Sequence, residues 1–189
     1  MNRPLNKNEI TNEEDYVNFG SVLIPKLDGL DVTVQIDQQS KQLTSFSLIY
    51  ANTIVKVEIF AAAKEHSSWA DIRFEIAARL EETQVQPKIS TGSFGPQITA
   101  VMPTFDEQGK AIVQAITFLG IDGDRWFLRA AISGAGAVDF DAAHQVDEII
   151  AKLVIDRGDE PMAPGSRLPI TFPSNEAAVV DSANFQIEI

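Results

Sequence analysis

The chain has 189 residues, 44% hydrophobic and 22% charged, which suits one ordinary domain with a real core. Its 27 acidic against 15 basic residues give a formal charge of −12, a surface that repels phosphate backbones and anionic lipid. Nucleic acid and membrane are therefore not expected as partners, and the absence of cysteine excludes disulfides, thiol nucleophiles and thiolate metal sites.

Residues 1 to about 15 are polar, without hydrophobic period, and read as a flexible arm. They hold no apolar region of the kind a secretory signal needs, and no stretch approaches the roughly 20 apolar residues of a membrane helix. The expected location is the cytoplasm. Short β-like segments follow the arm. "SVLIP" ends at Pro25, and "DVTVQID" alternates with Val32, Val34 and Ile36 on one face. "QQSK" (38–41) reads as a turn. "LTSFSLIY" and "TIVKVEIFAAA" are separated by Ala51 and Asn52, the spacing of a tight hairpin.

The period then changes. In "SSWADIRFEIAARLEETQV", Trp69, Ile72, Ile76 and Leu80 recur at helical spacing, Ser68 with Asp71 fits a capping box, and Pro87 blocks continuation. A second run of strands comes next: "KISTG", "PQITAVMPTF", "KAIVQAITFLGI" and "RWFLRAAISG". The turns between them carry Phe94-Gly95-Pro96, Asp106-Glu107-Gln108-Gly109 and Asp122-Gly123-Asp124. The Asp-Gly pair predicts a type I′ hairpin with positive φ on Gly123. "DAAHQVDEIIAKLVID" predicts a second amphipathic helix with Ala142, Val146, Ile149, Ile150 and Leu153 on one face. Asp139 or Asp141 would cap it, Glu148 and Lys152 would pair along it, and Gly158 would stop it.

Strand runs joined by hairpins, with only two helices, imply an α+β fold: a mainly antiparallel sheet of about seven or eight strands with two amphipathic helices packed on it. The expected organisation is an arm over 1–15, a single domain over 16–158, a proline-rich extended strap over 159–173 and a mobile tail over 174–189.

"DGDRWFLRAAISG" (122–134), "RGDEPMAPGSRLPITFP" (157–173), "NFGSVLIPKLDGLDVTVQID" and "FGPQITAVMP" together resemble the signature blocks of an actinobacterial family of uncharacterised proteins, a domain of unknown function. The resemblance spans roughly residues 16 to 173 and departs from the family at Gly165, where a basic residue is commoner. It implies no activity and no catalytic residue. The strand–helix order also looks somewhat like the PsbP-like fold, an analogy of fold that carries no function.

Candidates for chemistry are few. His144 sits on the second helix near Asp141, Asp147 and Glu148; it is either a general base oriented by a carboxylate or a solvated helix residue. His66 precedes the first helix. Two histidines without matched spacing make no zinc site, and Asp122 with Asp124 lacks the full spacing of a calcium loop, so no metal is expected. "SGAGAVD" has neither a nucleophile-elbow order nor a dinucleotide fingerprint, so no cofactor is implied. Arg125 and Arg129, four apart on a strand, would share a face with Phe127 between them. They either bind a carboxylate or phosphate or pair with acids on a neighbouring strand.

The strap residues Arg157, Asp159, Glu160, Pro161, Met162, Pro164 and Arg167 offer two readings. The segment covers a sheet edge, or it joins a protein partner or second subunit by strand addition. The leading reading of the whole chain is a non-enzymatic binding or protein-interaction domain. The alternative is a small anionic-ligand-binding domain or weak hydrolase using Arg125, Arg129 and His144.

Overall fold

The computed structural model describes residues 3–36, 43–64, 68–105, 108–173, 179–181 and 184–188, the last two stretches by their backbone alone. The turn expected at 38–41, His66 and Asp106-Glu107 lie outside the described residues. In chain order the elements are β1 (Leu5–Asn6), β2 (Tyr16–Asn18), β3 (Val22–Pro25), β4 (Asp31–Ile36), β5 (Leu43–Tyr50), β6 (Thr53–Ala61) and α1 (Ser68–Glu82). They continue with β7 (Lys88–Gly92), β8 (Gly95–Phe105), β9 (Ala111–Asp122), β10 (Trp126–Gly134), α2 (Phe140–Ala151), β11 (Val154–Ile155), β12 (Val179–Asp181) and β13 (Asn184–Glu188). A nine-stranded antiparallel sheet runs β12-β13-β4-β5-β6-β10-β9-β8-β7, and a four-stranded one runs β1-β11-β3-β2. The protein is α+β, as the hairpin-linked strand runs imply.

β10 lies at the centre. Trp126, Leu128, Ala130 and Ile132 point to one side of the large sheet and are buried in the main core. That core also takes Val22 and Ile24 of the small sheet and Val146, Ile149 and Ile150 of α2. On the opposite face Phe127 stacks with Phe60 and with Trp69 of α1, ring centroids 6.2 and 6.4 Å apart. α1 covers β8, β9 and β10 on that side, where Leu80 meets Ile98 and Ala100. Each such large side chain contributes about 1.5–3 kcal/mol by leaving water.

The Ala51-Asn52 hairpin forms as expected: both residues take positive φ, +43° and +62°, the backbone of a type I′ turn. The Asp122-Gly123 turn forms for a different reason. The positive φ falls on Arg125 (+62°), while a side chain at Gly123 would collide with the Trp126 indole. At the start of α1, Asp122 Oδ1 accepts the Ser68 amide at 2.8 Å, so a first-turn donor is satisfied from across the sheet. Asp139 caps α2, accepting the Ala142 amide at 2.8 Å. That helix ends at Ala151, earlier than its periodicity suggests. Val154 and Ile155 are needed as a strand, bonded between β3 and β1 and almost wholly buried.

The ends of the chain fold back onto this frame. The polar opening residues lie against the domain: β1 pairs in parallel with β11, and Asn6 Oδ1 accepts the Trp126 indole N–H at 2.7 Å. After Gly158 the strap runs beside β6, where Ala61 N donates to Ser166 O and Leu168 N donates to Ile59 O. Farther on, Ser21 N donates to Pro169 O, Thr171 N donates to Phe19 O, and Ile170 bridges Gly20 and Leu43. The strap thus joins the two sheets, with Leu168 and Ile170 in the core. Beyond it, β13 adds to the open edge of β4.

Leu168→Ala is expected to destabilise the domain by about 2–5 kcal/mol, the usual cost of truncating a buried leucine. Urea unfolding should show this as a lower midpoint in a single transition; a loss under about 0.5 kcal/mol would mean the strap is not part of the cooperative unit.

Candidate functional site

The three side chains that sequence singles out for chemistry are carried to three separate clefts. Arg129, in the middle of β10, faces the α1 side of the sheet. Its Nε donates to Glu58 Oε2 of β6 at 3.1 Å, and its Nη2 donates to the same oxygen. Arg167 of the strap donates from Nη2 to the other oxygen, Oε1, at 2.8 Å. Both guanidiniums also lie over the Phe60 ring, 5.5 and 5.9 Å from its centroid. Burial works against the Glu58 carboxylate, but the two arginines outweigh it and hold it below the ordinary range. This cluster lines a cleft of about 220 Å³.

Arg125 does not share that face, because β10 begins one residue later and Arg125 sits in the turn. It lines a different cleft of about 370 Å³ with Lys7 and with Arg157 and Asp159 of the strap. Arg157 donates from Nη1 to the carbonyl oxygens of Gly158 and Glu160.

His144 is exposed on α2, its Nδ1 3.7 Å from Glu148 Oε1. Two well-solvated side chains at that distance contribute little to stability. The expected partner of Glu148, Lys152, is instead the C-terminal cap residue of α2. His144 lines the most capacious of the three clefts, about 540 Å³. Its floor carries Thr99 and Thr117, whose hydroxyls are 2.9 Å apart; one wall is the β7–β8 turn and the other is α2. Across this gap Ser93 Oγ donates to Asp147 Oδ2 at 2.5 Å. Burial pushes the Asp147 carboxyl above its ordinary value of 3.8, and the Ser93 bond together with His144 only partly offsets that.

The upper rim of the cleft is apolar. Val138 and Phe140 are 75% and 82% exposed. The sheet face beyond the threonines is apolar too. β9 pairs with β10 only as far as Ile116, yet β8 and β9 stay paired out to Phe105 and Ala111, forming a two-stranded ribbon past the sheet. By strand alternation Val101, Pro103 and Phe105, with their partners Ala115, Val113 and Ala111, share the face of Thr99 and Thr117. Val101, Phe105 and Val113 are 59%, 72% and 75% exposed. Sequence reasoning named Asp147 only as a neighbour of His144 and passed over Ser93 and the ribbon. The one available signal was Phe140, an aromatic residue outside the apolar stripe of α2.

Among the described residues, no group of three or more His, Asp or Glu could hold a metal ion, and no helix is long and apolar enough to cross a membrane. Residues 4–178 match the family described as "Protein of unknown function (DUF3710)". No curated protein and no solved structure matches the chain.

The Asp147 titration is open to direct measurement. Carbon-detected NMR should place its midpoint above 3.8, and Ser93→Ala, by removing a bond that favours the carboxylate, should move it higher still. A pKa raised by folding stabilises below the unfolded value, and that contribution is lost as pH rises through the folded one. Relative to Asp147→Asn, the parent protein should therefore lose stability across that window; a midpoint at or below 3.8 would contradict the burial argument.

Proposed function

Because the chain belongs to the family of proteins of unknown function that its residues 4–178 match, we propose a function from its geometry: a non-enzymatic recognition domain that binds an apolar segment of a protein partner. The binding surface is the ribbon face of Val101, Phe105 and Val113, continued by Val138 and Phe140 at the rim of the Asp147 cleft. The observation that carries this reading is the concentration of these exposed apolar side chains on one connected face. Monomeric proteins scatter such residues singly, and a contiguous patch marks an interaction site.

The cleft gives that surface depth. A partner side chain can enter between the β7–β8 turn and α2, with the Thr99–Thr117 pair and the Ser93–Asp147 pair as polar stops. The chain as a whole carries a net charge of −12, so basic residues flanking the partner's apolar segment would speed encounter. The dispersal of Arg125, Arg129 and His144 over three clefts supports recognition rather than reaction. The reading places the domain in the cytoplasm, where a cysteine-free chain needs no oxidising compartment.

Val113→Asp and Phe140→Asp test it. Both positions are exposed, so stability should change by no more than about 0.5 kcal/mol. Tagged parent protein should retain a reproducible partner from host lysate, and both variants should lose it. Failure of the parent to retain any protein, or retention indifferent to both charges, would refute the proposal.

A further inference from the structure

The cleft at the β9–β10 turn is independent of the apolar surface and has the opposite character. Three chain segments far apart in sequence build it: residues 6–8, Asp124 and Arg125, and residues 155–159. Each is fixed from outside the cleft. Asn6 is held by the Trp126 indole, the Arg125 carbonyl accepts the Ala62 amide at 3.0 Å, and β11 is bonded between β1 and β3. Ile155 is the only large apolar residue in the lining, so an apolar ligand has nothing to meet there.

In a chain of net charge −12, this cleft gathers three cations, Lys7, Arg125 and Arg157. Lys7 already meets Glu13 at 2.7 Å. Arg125 makes no ion pair or hydrogen bond through its side chain among the described residues. Arg157 uses Nη1 on backbone carbonyls, while its Nε is buried without an acceptor, a state that native structures rarely leave unexplained. The turn also holds Arg125 at φ +62°, a conformation that costs energy for a side-chain-bearing residue and recurs at ligand sites. Asp124, Asp156 and Asp159 share the lining and would oppose a bare anion, although Asp156 Oδ1 already accepts the Gly158 amide at 3.1 Å. Toward hydroxyl groups the same carboxylates are strong acceptors. At about 370 Å³ the cleft also holds more than a single ion.

We propose that this cleft binds a small phosphorylated, hydroxyl-bearing molecule. The phosphate lies against the Arg125 guanidinium, whose forked donors match its oxygens, and against the part of the Arg157 guanidinium not bound to Gly158 and Glu160, with Lys7 adding to the field. Asp124 and Asp159 take hydroxyl hydrogens from the body of the ligand. Because the N-terminal segment forms one wall, occupancy fastens that segment to the turn and to the start of the strap.

Isothermal titration of the full chain with glycerol 3-phosphate tests this, with inorganic phosphate and glycerol as the separate halves of the probe. Saturable binding at millimolar concentration is expected, tighter than for either half and weakening as salt rises. Arg125→Gly should fold at least as well as the parent, because glycine accepts φ +62° without strain, and should weaken binding at least tenfold. Arg157→Met should weaken binding likewise. Absence of saturable binding, equal affinity for inorganic phosphate and the ester, or a parent-like affinity in Arg125→Gly would each overturn the proposal. None of these outcomes touches the apolar surface, whose variants lie on other elements.

Discussion

β10 is hydrogen-bonded along its length to β6 on one side and to β9 on the other, and both of its faces are covered. A strand in that position must be largely apolar both ways, which "WFLRAAI" provides, apart from the ion-paired Arg129, and an alternating strand could not. The two covers differ. Trp126, Leu128 and Ala130 call for a broad apolar lid, supplied jointly by the small sheet and α2; Phe127 calls for a narrow one, supplied by Trp69 on α1. Gly120 is small because the Trp69 and Phe127 rings occupy the place where its side chain would stand. Every cleft described above lies where one of these covers ends.

The small sheet cannot close by itself. β11 has two residues, β2 three and β3 four, far too few for independent stability. The segments that complete it come from the extremes of the domain: β1 supplies an edge, and the strap bonds to Phe19 and Ser21 while also bonding to β6. The prolines of the strap suit this position. Pro161, Pro164 and Pro169 favour extended backbone and lack N–H groups, so they stand where a donor is not required, while Ser166, Leu168 and Thr171 make the hydrogen bonds between them. Of the two sequence readings of the strap, these contacts use its backbone within its own chain.

Hairpins were the most legible part of the sequence, because alternation and positive-φ turn residues act over a few positions. The end of α2 was not legible: "KLVI" continues the helical stripe, and only the presence of β3 and β1 on either side makes Val154 and Ile155 more stable as a strand. Gly123 was read correctly as a turn residue but for backbone freedom, when the cause is a tryptophan ring three residues on. The ribbon escaped notice because both of its faces carry apolar residues, Val101 and Val113 on one and Met102 and Ile112 on the other. A period-two pattern cannot say which is covered. The clefts were illegible in principle, since Ser93 and Asp147, or Arg125 and Lys7, become neighbours only after the strands are ordered.

The arginines show how burial of a partner decides the role of a charge. Glu58 keeps only 13% of its side-chain surface, so its carboxylate loses much of its water and needs strong compensation. One guanidinium from β10 and one from the strap supply it, and in doing so tie Arg167 to the face of the sheet. Removing either would leave a buried carboxylate short of a donor, so Arg129 and Arg167 are committed to holding the strap in place. Arg125 and Arg157 face a weaker demand, because Asp124 and Asp159 beside them are exposed and remain hydrated, while half-buried Asp156 accepts the Gly158 amide. Water satisfies the two exposed acids without help from a cation. Arg125 therefore keeps its hydrogen-bonding capacity for whatever enters the polar cleft, and Arg157 keeps what its bonds to the Gly158 and Glu160 carbonyls leave, although both belong to the same two stretches of chain as the committed pair.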